Sequence, residues 1–202
     1  MRKYGDSKEI FTFDTGDVLK AQMKLARLRD NANLVLSRAV NRSLSNVSKN
    51  MKKQVVERYH VKPMQVGKTI RVTRRASVSN PTAHIRSTGR HITLKSFQMT
   101  PGRRSRRLKS GKYSPPVYKA SVLKDHGLQR LSGTPKPFIQ RVNNGNIISV
   151  RRISEDSRKI EGVYGPAVPQ MLKNQEILKI INHDAEVMMS KRVTHEFDRL
   201  LK

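Results

Sequence analysis

Residues 21–59 read AQMKLARLRDNANLVLSRAVNRSLSNVSKNMKKQVVERY, and the spacing of their apolar side chains sets the architecture. Ala21, Leu25, Leu28, Ala32, Val35 and Ala39 alternate steps of four and three, the signature of one helix face. Val40, Leu44, Val47, Met51, Val55 and Tyr59 continue the stripe one residue out of phase. Two arrangements satisfy this pattern. One is a single helix whose buried face shifts near Ala39–Val40; the other is two helices meeting near Asp30–Asn33, with Asp30 capping the second. The helical pattern starts at Asp17. Unbroken, about 40 residues at 1.5 Å rise would span ~60 Å, more than a compact domain of this size covers. The second half is expected on the chain's own sheet. The first half, with Leu25 and Leu28, is expected between subunits.

Beyond the helix the period changes from about 3.6 to 2. Pro63 is expected to end the helix, because the residue before a proline is pushed out of the α region. Thr69–Arg74 alternates apolar with polar residues, as a strand with one solvated face does. Ala83–Ile85 and Ile92–Leu94 flank Ser87-Thr88-Gly89 and are expected to pair as a hairpin. Val117–Val122 and Pro137–Val142 are further strands. Asn143-Asn144-Gly145-Asn146 is a turn signal leading into Ile147–Val150, because Asn and Gly tolerate positive φ. Sequential strands with short turns make an antiparallel sheet. Upstream, Phe11 and Phe13 mark a short strand or docking arm.

Ile177, Ile180, Ile181, Ala185, Met188, Phe197, Leu200 and Leu201 give the C-terminal segment a second amphipathic helix. The fold class is therefore α+β: a long N-terminal helix, a central antiparallel β-sheet with a basic loop, and a C-terminal helix. Residues 1–16 form an arm and 17–62 the long helix or helix pair. Residues 63–153 form the basic β region, and 154–202 a connector and last helix, all within one domain.

Charge is distributed unevenly. The 202 residues carry a formal net charge of +27, and residues 58–124 hold 17 Lys and Arg with no Asp or Glu. Such a stretch repels itself and calls for phosphates, an acidic neighbour or salt to neutralise it. Its densest part is Thr100–Lys112, read as an exposed loop, where Arg103, Arg104, Arg106, Arg107, Lys109 and Lys112 are candidates for gripping nucleic acid or an acidic partner. The absence of Cys excludes disulfides and thiolate zinc sites. No apolar run approaches the roughly 20 residues that cross a bilayer, so no membrane partner is expected. His60, His84, His91, His126, His183 and His195 share no metal spacing. His195-Glu196 lacks the second His that a zinc-protease helix needs, since position 199 is Arg. No phosphate loop or nucleophile elbow occurs. No catalytic residue, metal or cofactor is assigned. Aromatics are 5% with no Trp, which leaves phosphates rather than bases as the target of any nucleic-acid contact.

Several segments, taken in order, resemble the tail-completion family of minor tail protein Z from lambda-type tailed bacteriophages and prophages. They are the helix from Ala39 to Lys62, then Ile70, Val72 and Ala76, then Gly89–Phe97, then Pro137-Phe138-Ile139 with its glycine turn and Arg151. The most specific is Tyr164-Gly165-Pro166-Ala167-Val168-Pro169-Gln170-Met171, close to a GPSVPQM pattern with Ala167 where Ser is common. The resemblance covers about residues 30–201. It implies a structural virion protein, not an enzyme, that completes the head-proximal end of a tail and enables head–tail joining. The expected form is a homo-hexameric ring, and the partners are tail terminator, tail tube and head–tail connector proteins. The end of the viral DNA would be held through phosphates. The protein would reside in the virion tail, and in host cytoplasm during assembly. Gly165, Pro166, Val168, Pro169, Gln170 and Met171 read either as a rigid connector or as a subunit contact. The competing reading is a general nucleic-acid-binding structural protein, ribosome- or nucleoid-associated.

Overall fold

The long helix forms as one piece through Asp30–Asn33. In the computed structural model, which describes residues 7–12, 29–102, 109–110, 117–142, 145–154 and 158–200, helix α1 runs Arg29–Arg58 without a break, 30 residues and about 45 Å. Both phases of its stripe are buried: Ala32, Val35 and Ala39 on one side, Val40, Leu44, Val47, Met51 and Val55 on the other. Leu36 and Ser43 are buried between them, so the covered arc is widest where the register shifts. Ser43 answers its burial by donating to the Ala39 carbonyl one turn back, at 2.9 Å. The first half from Ala32 onward is thus covered within the chain itself. Leu25, Leu28 and Phe13 lie outside the described residues.

Helix α1 stops at Arg58, ahead of Pro63. The chain leaves it by bridging Tyr59 to Leu123, with His60 N–H donating to the Val122 carbonyl and Lys124 N–H to that of Arg58. Pro63 instead opens a short helix, α2 (Pro63–Gly67), at a position where its missing N–H costs nothing.

The β region is antiparallel throughout and divides into three small sheets. The first has order β1-β3-β2, from Ser7–Thr12, His84–Gly89 and Ile70–Arg74. The second joins β4 (Gln98–Thr100), β5 (Lys119–Ser121) and β6 (Gln129–Arg130). The third joins β7 (Phe138–Arg141), β8 (Ile147–Arg152) and β9 (Ile160–Gly162). Gly145, at φ +79, makes the expected turn between β7 and β8, where Val142 N–H donates to the Asn146 carbonyl.

The hairpin expected around Ser87-Thr88-Gly89 does not form. Strand β3 runs straight through those residues and pairs with β1 and β2, while Leu94–Ser96 is a turn of 3-10 helix. The reason is visible in the alternation: Ala83, Ile85 and Ser87 all point inward and are buried. Ser87 keeps the strand's period because its hydroxyl finds Thr69 Oγ1 at 3.3 Å.

Two helices close the chain: α3 (Val168–Leu172) and α4 (Gln175–Leu200). Helix α4 lies antiparallel to α1, since Arg58 meets Glu176, Asn50 meets Asp184 and Arg42 meets Glu196. Ile177, Ile181 and Ala185 pack into the core with Val47, Met51 and Val55, while Ile180, expected on that face, is exposed. The same core takes Ile70 and Ile85 from the first sheet and Val168, Met171 and Leu172 from α3. No described helix is long and apolar enough to cross a membrane.

Candidate functional site

Two of the segments that carry the resemblance, 89–97 and 164–171, lie against each other. Leu94 N–H donates to the Val163 carbonyl at 3.0 Å, Gly165 N–H donates to the Ile92 carbonyl at 2.8 Å, and Thr93 bridges Tyr164. His91 Nδ1 stands 3.0 Å from the Gly165 carbonyl, which can only accept, so Nδ1 carries the proton. A Cβ on Gly165 would come within 2.6 Å of the Phe97 ring, and one on Gly89 within 3.0 Å of the Thr69 methyl. Neither glycine has a positive φ. They serve close approach, not a turn.

This clasp aims α3 into the core. Ala167, Val168, Pro169, Met171 and Leu172 are buried, Gln170 is exposed, and Gly165 and Pro166 are half-buried. Most of the segment therefore faces the chain's own interior, a connector's position between β9 and α4. Ala167 caps α3 incompletely: its N–H donates to Gln170 Oε1 at 3.0 Å, but its methyl offers nothing to the Gln170 N–H in return. Ala167→Ser completes the reciprocal pair. We expect a gain of about 0.5–1 kcal/mol, read as a higher urea midpoint at unchanged slope.

Of the basic-loop candidates, Lys109 is exposed, and Arg103, Arg104, Arg106, Arg107 and Lys112 lie outside the described residues. The structure places a second cationic surface that the loop reading missed. Strand β2 exposes Arg71, Thr73 and Arg74, followed by the exposed Arg75. The run of charge was visible in sequence, but its arrangement on a sheet face needed the register.

Chemistry of a catalytic kind is not assembled among the described residues. They contain no group of three or more His, Asp or Glu able to hold a metal ion. A cleft of about 470 Å³ where Tyr59, Leu94, Leu123 and Pro166 meet β5 and β6 is lined by His126 and Arg130 and by no carboxylate among the described residues. Glu196, the one buried acid among the described residues, is committed to Arg42 at 2.7 Å.

A family model described as prophage minor tail protein Z (GPZ) matches residues 18–202. No curated protein and no solved structure matches the chain.

Proposed function

Because the chain belongs to the prophage minor tail protein Z family, whose members are structural proteins of the phage tail and not enzymes, we propose that it completes the head-proximal end of the tail and enables head–tail joining. The observation that carries this reading is the family match over nearly the whole chain, 18–202. The chain is a virion tail protein, and its partners are other tail proteins. In the finer reading it forms a sixfold ring between tail tube and head connector. Leu25 and Leu28 contact the neighbouring subunit, and the basic loop from Arg103 to Lys112 turns toward the DNA end. The acid-free composition of residues 58–124 supports an anionic neighbour on that side.

Deletion of the protein tests the reading by cryo-electron microscopy of the resulting particles. Filled heads and tails of full length that fail to join into infectious particles are the expected outcome. Tails truncated or absent, with heads unaffected, would instead place the protein in tube assembly and overturn the joining role.

A further inference from the structure

We propose that the outer face of the first sheet grips the phosphate backbone of nucleic acid, with Arg71, Arg74 and Arg86 as the contacting side chains. Register puts Arg71 directly opposite Arg86, and Arg74 opposite His84 across a bulge at Val72–Arg74. Side chains at opposed positions share a face, with Cβ atoms about 5 Å apart. Their neighbours in register, Ile70 with Ser87 and Val72 with Ile85, point to the other face, where Ile70, Ile85 and Ser87 are buried. Three guanidinium groups and an imidazole are thereby collected on one side of two strands.

Among the described residues no ion pair neutralises them. Ion pairs among the described residues include those of Arg42, Arg199 and His195 with Glu196, Lys53 with Glu57, Arg58 with Glu176 and Arg151 with Glu161, none of them on β1, β2 or β3. On the far side of β3, the positions in register with His84, Arg86 and Thr88 are Thr12, Ile10 and Lys8; the acid of that strand, Glu9, is in register with the inward Ser87. The Arg86 Nε–H is itself buried and has no acceptor among the described residues. Like charges set directly opposite each other destabilise a sheet, so the arrangement works against folding unless an external anion occupies it.

Phosphodiesters suit the face better than an acidic protein. Protein partners meet through an apolar centre ringed by polar groups, and nucleic-acid interfaces are polar and strongly cationic. On β2 and β3 the outward positions are Arg, His and Thr, and Ile70 and Ile85 turn inward; the apolar exceptions are Val72, which is partly exposed, and Ile10 of β1, which is in register with Arg86. A flat row of forked donors holds phosphate oxygens without reading bases. The inference rests on the reading that this protein meets DNA, and it assigns the grip to the sheet.

Fluorescence anisotropy of the full-length protein with a random-sequence DNA duplex, over a range of salt, tests it. Arg71→Gln/Arg74→Gln/Arg86→Gln should weaken binding at least about tenfold and flatten the log–log salt slope by about 2–3. Lys49→Gln/Lys179→Gln/Lys191→Gln removes equal charge from exposed positions on α1 and α4 and should shift the slope by less than about 1. The sheet variant should melt no lower than wild type, because its opposed charges are gone. Should it melt lower, the double variant at the exposed Arg71 and Arg74 decides by the same slope. If the sheet variants bind like wild type while replacing the six loop cations with Gln abolishes binding, the DNA reading stands and this assignment falls. Wild-type protein that ignores DNA even at low salt sinks both. Full DNA affinity with failed head–tail joining in the sheet variant would mean an acidic protein partner, and would also overturn the proposal.

Discussion

Gly165→Ala is expected to lower stability by about 2–3 kcal/mol, while Gly162→Ala, three residues away, should cost less than about 1. The two glycines look equivalent in sequence. A Cβ on either would come within 2.5–2.6 Å of an aromatic ring, that of Phe97 for Gly165 and that of Tyr164 for Gly162. What differs is the burial of the ring. Phe97 is buried at 6% exposure and packs in the main core, so it cannot yield without opening a void beside Leu94. Tyr164 is 44% exposed, so displacing its ring opens no void in the core. The clash at Gly165 would also pull on its hydrogen bond to Ile92 and so loosen the entry to α3. Urea denaturation of both variants measures the difference. Equal losses at the two positions would mean that the Phe97 contact does not set the clasp.

What the sequence disclosed, and what it withheld, follows from which interactions are local. The stripe of α1 is a repeating local pattern, and every one of Val40, Leu44, Val47, Met51 and Val55 is buried as its spacing implies. The turn at Gly145 was equally legible, because positive φ is a property of the residue itself. Gly89 misled because a glycine placed for close approach looks the same as one placed for a turn. Only the fold brings Thr69 and Pro169 against it. Ser87 compounded the error: a buried serine breaks the apolar alternation although its strand continues. Pro63 lies beyond the end of α1 and opens α2, since a proline tolerates the first turn of a helix as readily as it breaks the middle of one.

The candidate site divides in the same way. The Tyr164–Met171 segment could be recognised as distinctive, but its partner, residues 89–97, lies some seventy positions upstream and carries no signal of the pairing. Its apolar members turned out to fill the core, with Met171 fully enclosed. The concentration of cations between residues 58 and 124 was plain from counting. Its organisation was not, because whether Arg71 and Arg86 share a face depends on strand register across fifteen residues.

Arg42→Met is expected to cost about 2–3 kcal/mol and to lower the melting temperature by about 5–10 °C. The C-terminal helix carries Glu196 on what its pattern marks as a polar position, yet that side chain is 1% exposed. Burial of a carboxylate is tolerable only with a counter-charge, and Arg42 of α1 supplies it with Nη1 2.7 Å from Oε1, as an ion pair rather than an aligned hydrogen bond. Arg199 and His195 stand farther off, at 3.8 Å each. Removing Arg42 leaves the carboxylate desolvated with only these weaker partners. The loss is kept below the full buried-pair range because Arg42 is itself 43% exposed and Arg199 remains. Arg42→Met/Glu196→Met together should recover most of the loss, since two apolar side chains in a helix seam need no counter-charge. The coupling between the two sites in a double-mutant cycle should then be about 2 kcal/mol. An additive double variant, losing as much as the sum of the singles, would show that Arg42 stabilises the helix pair through its packed stem and not through Glu196.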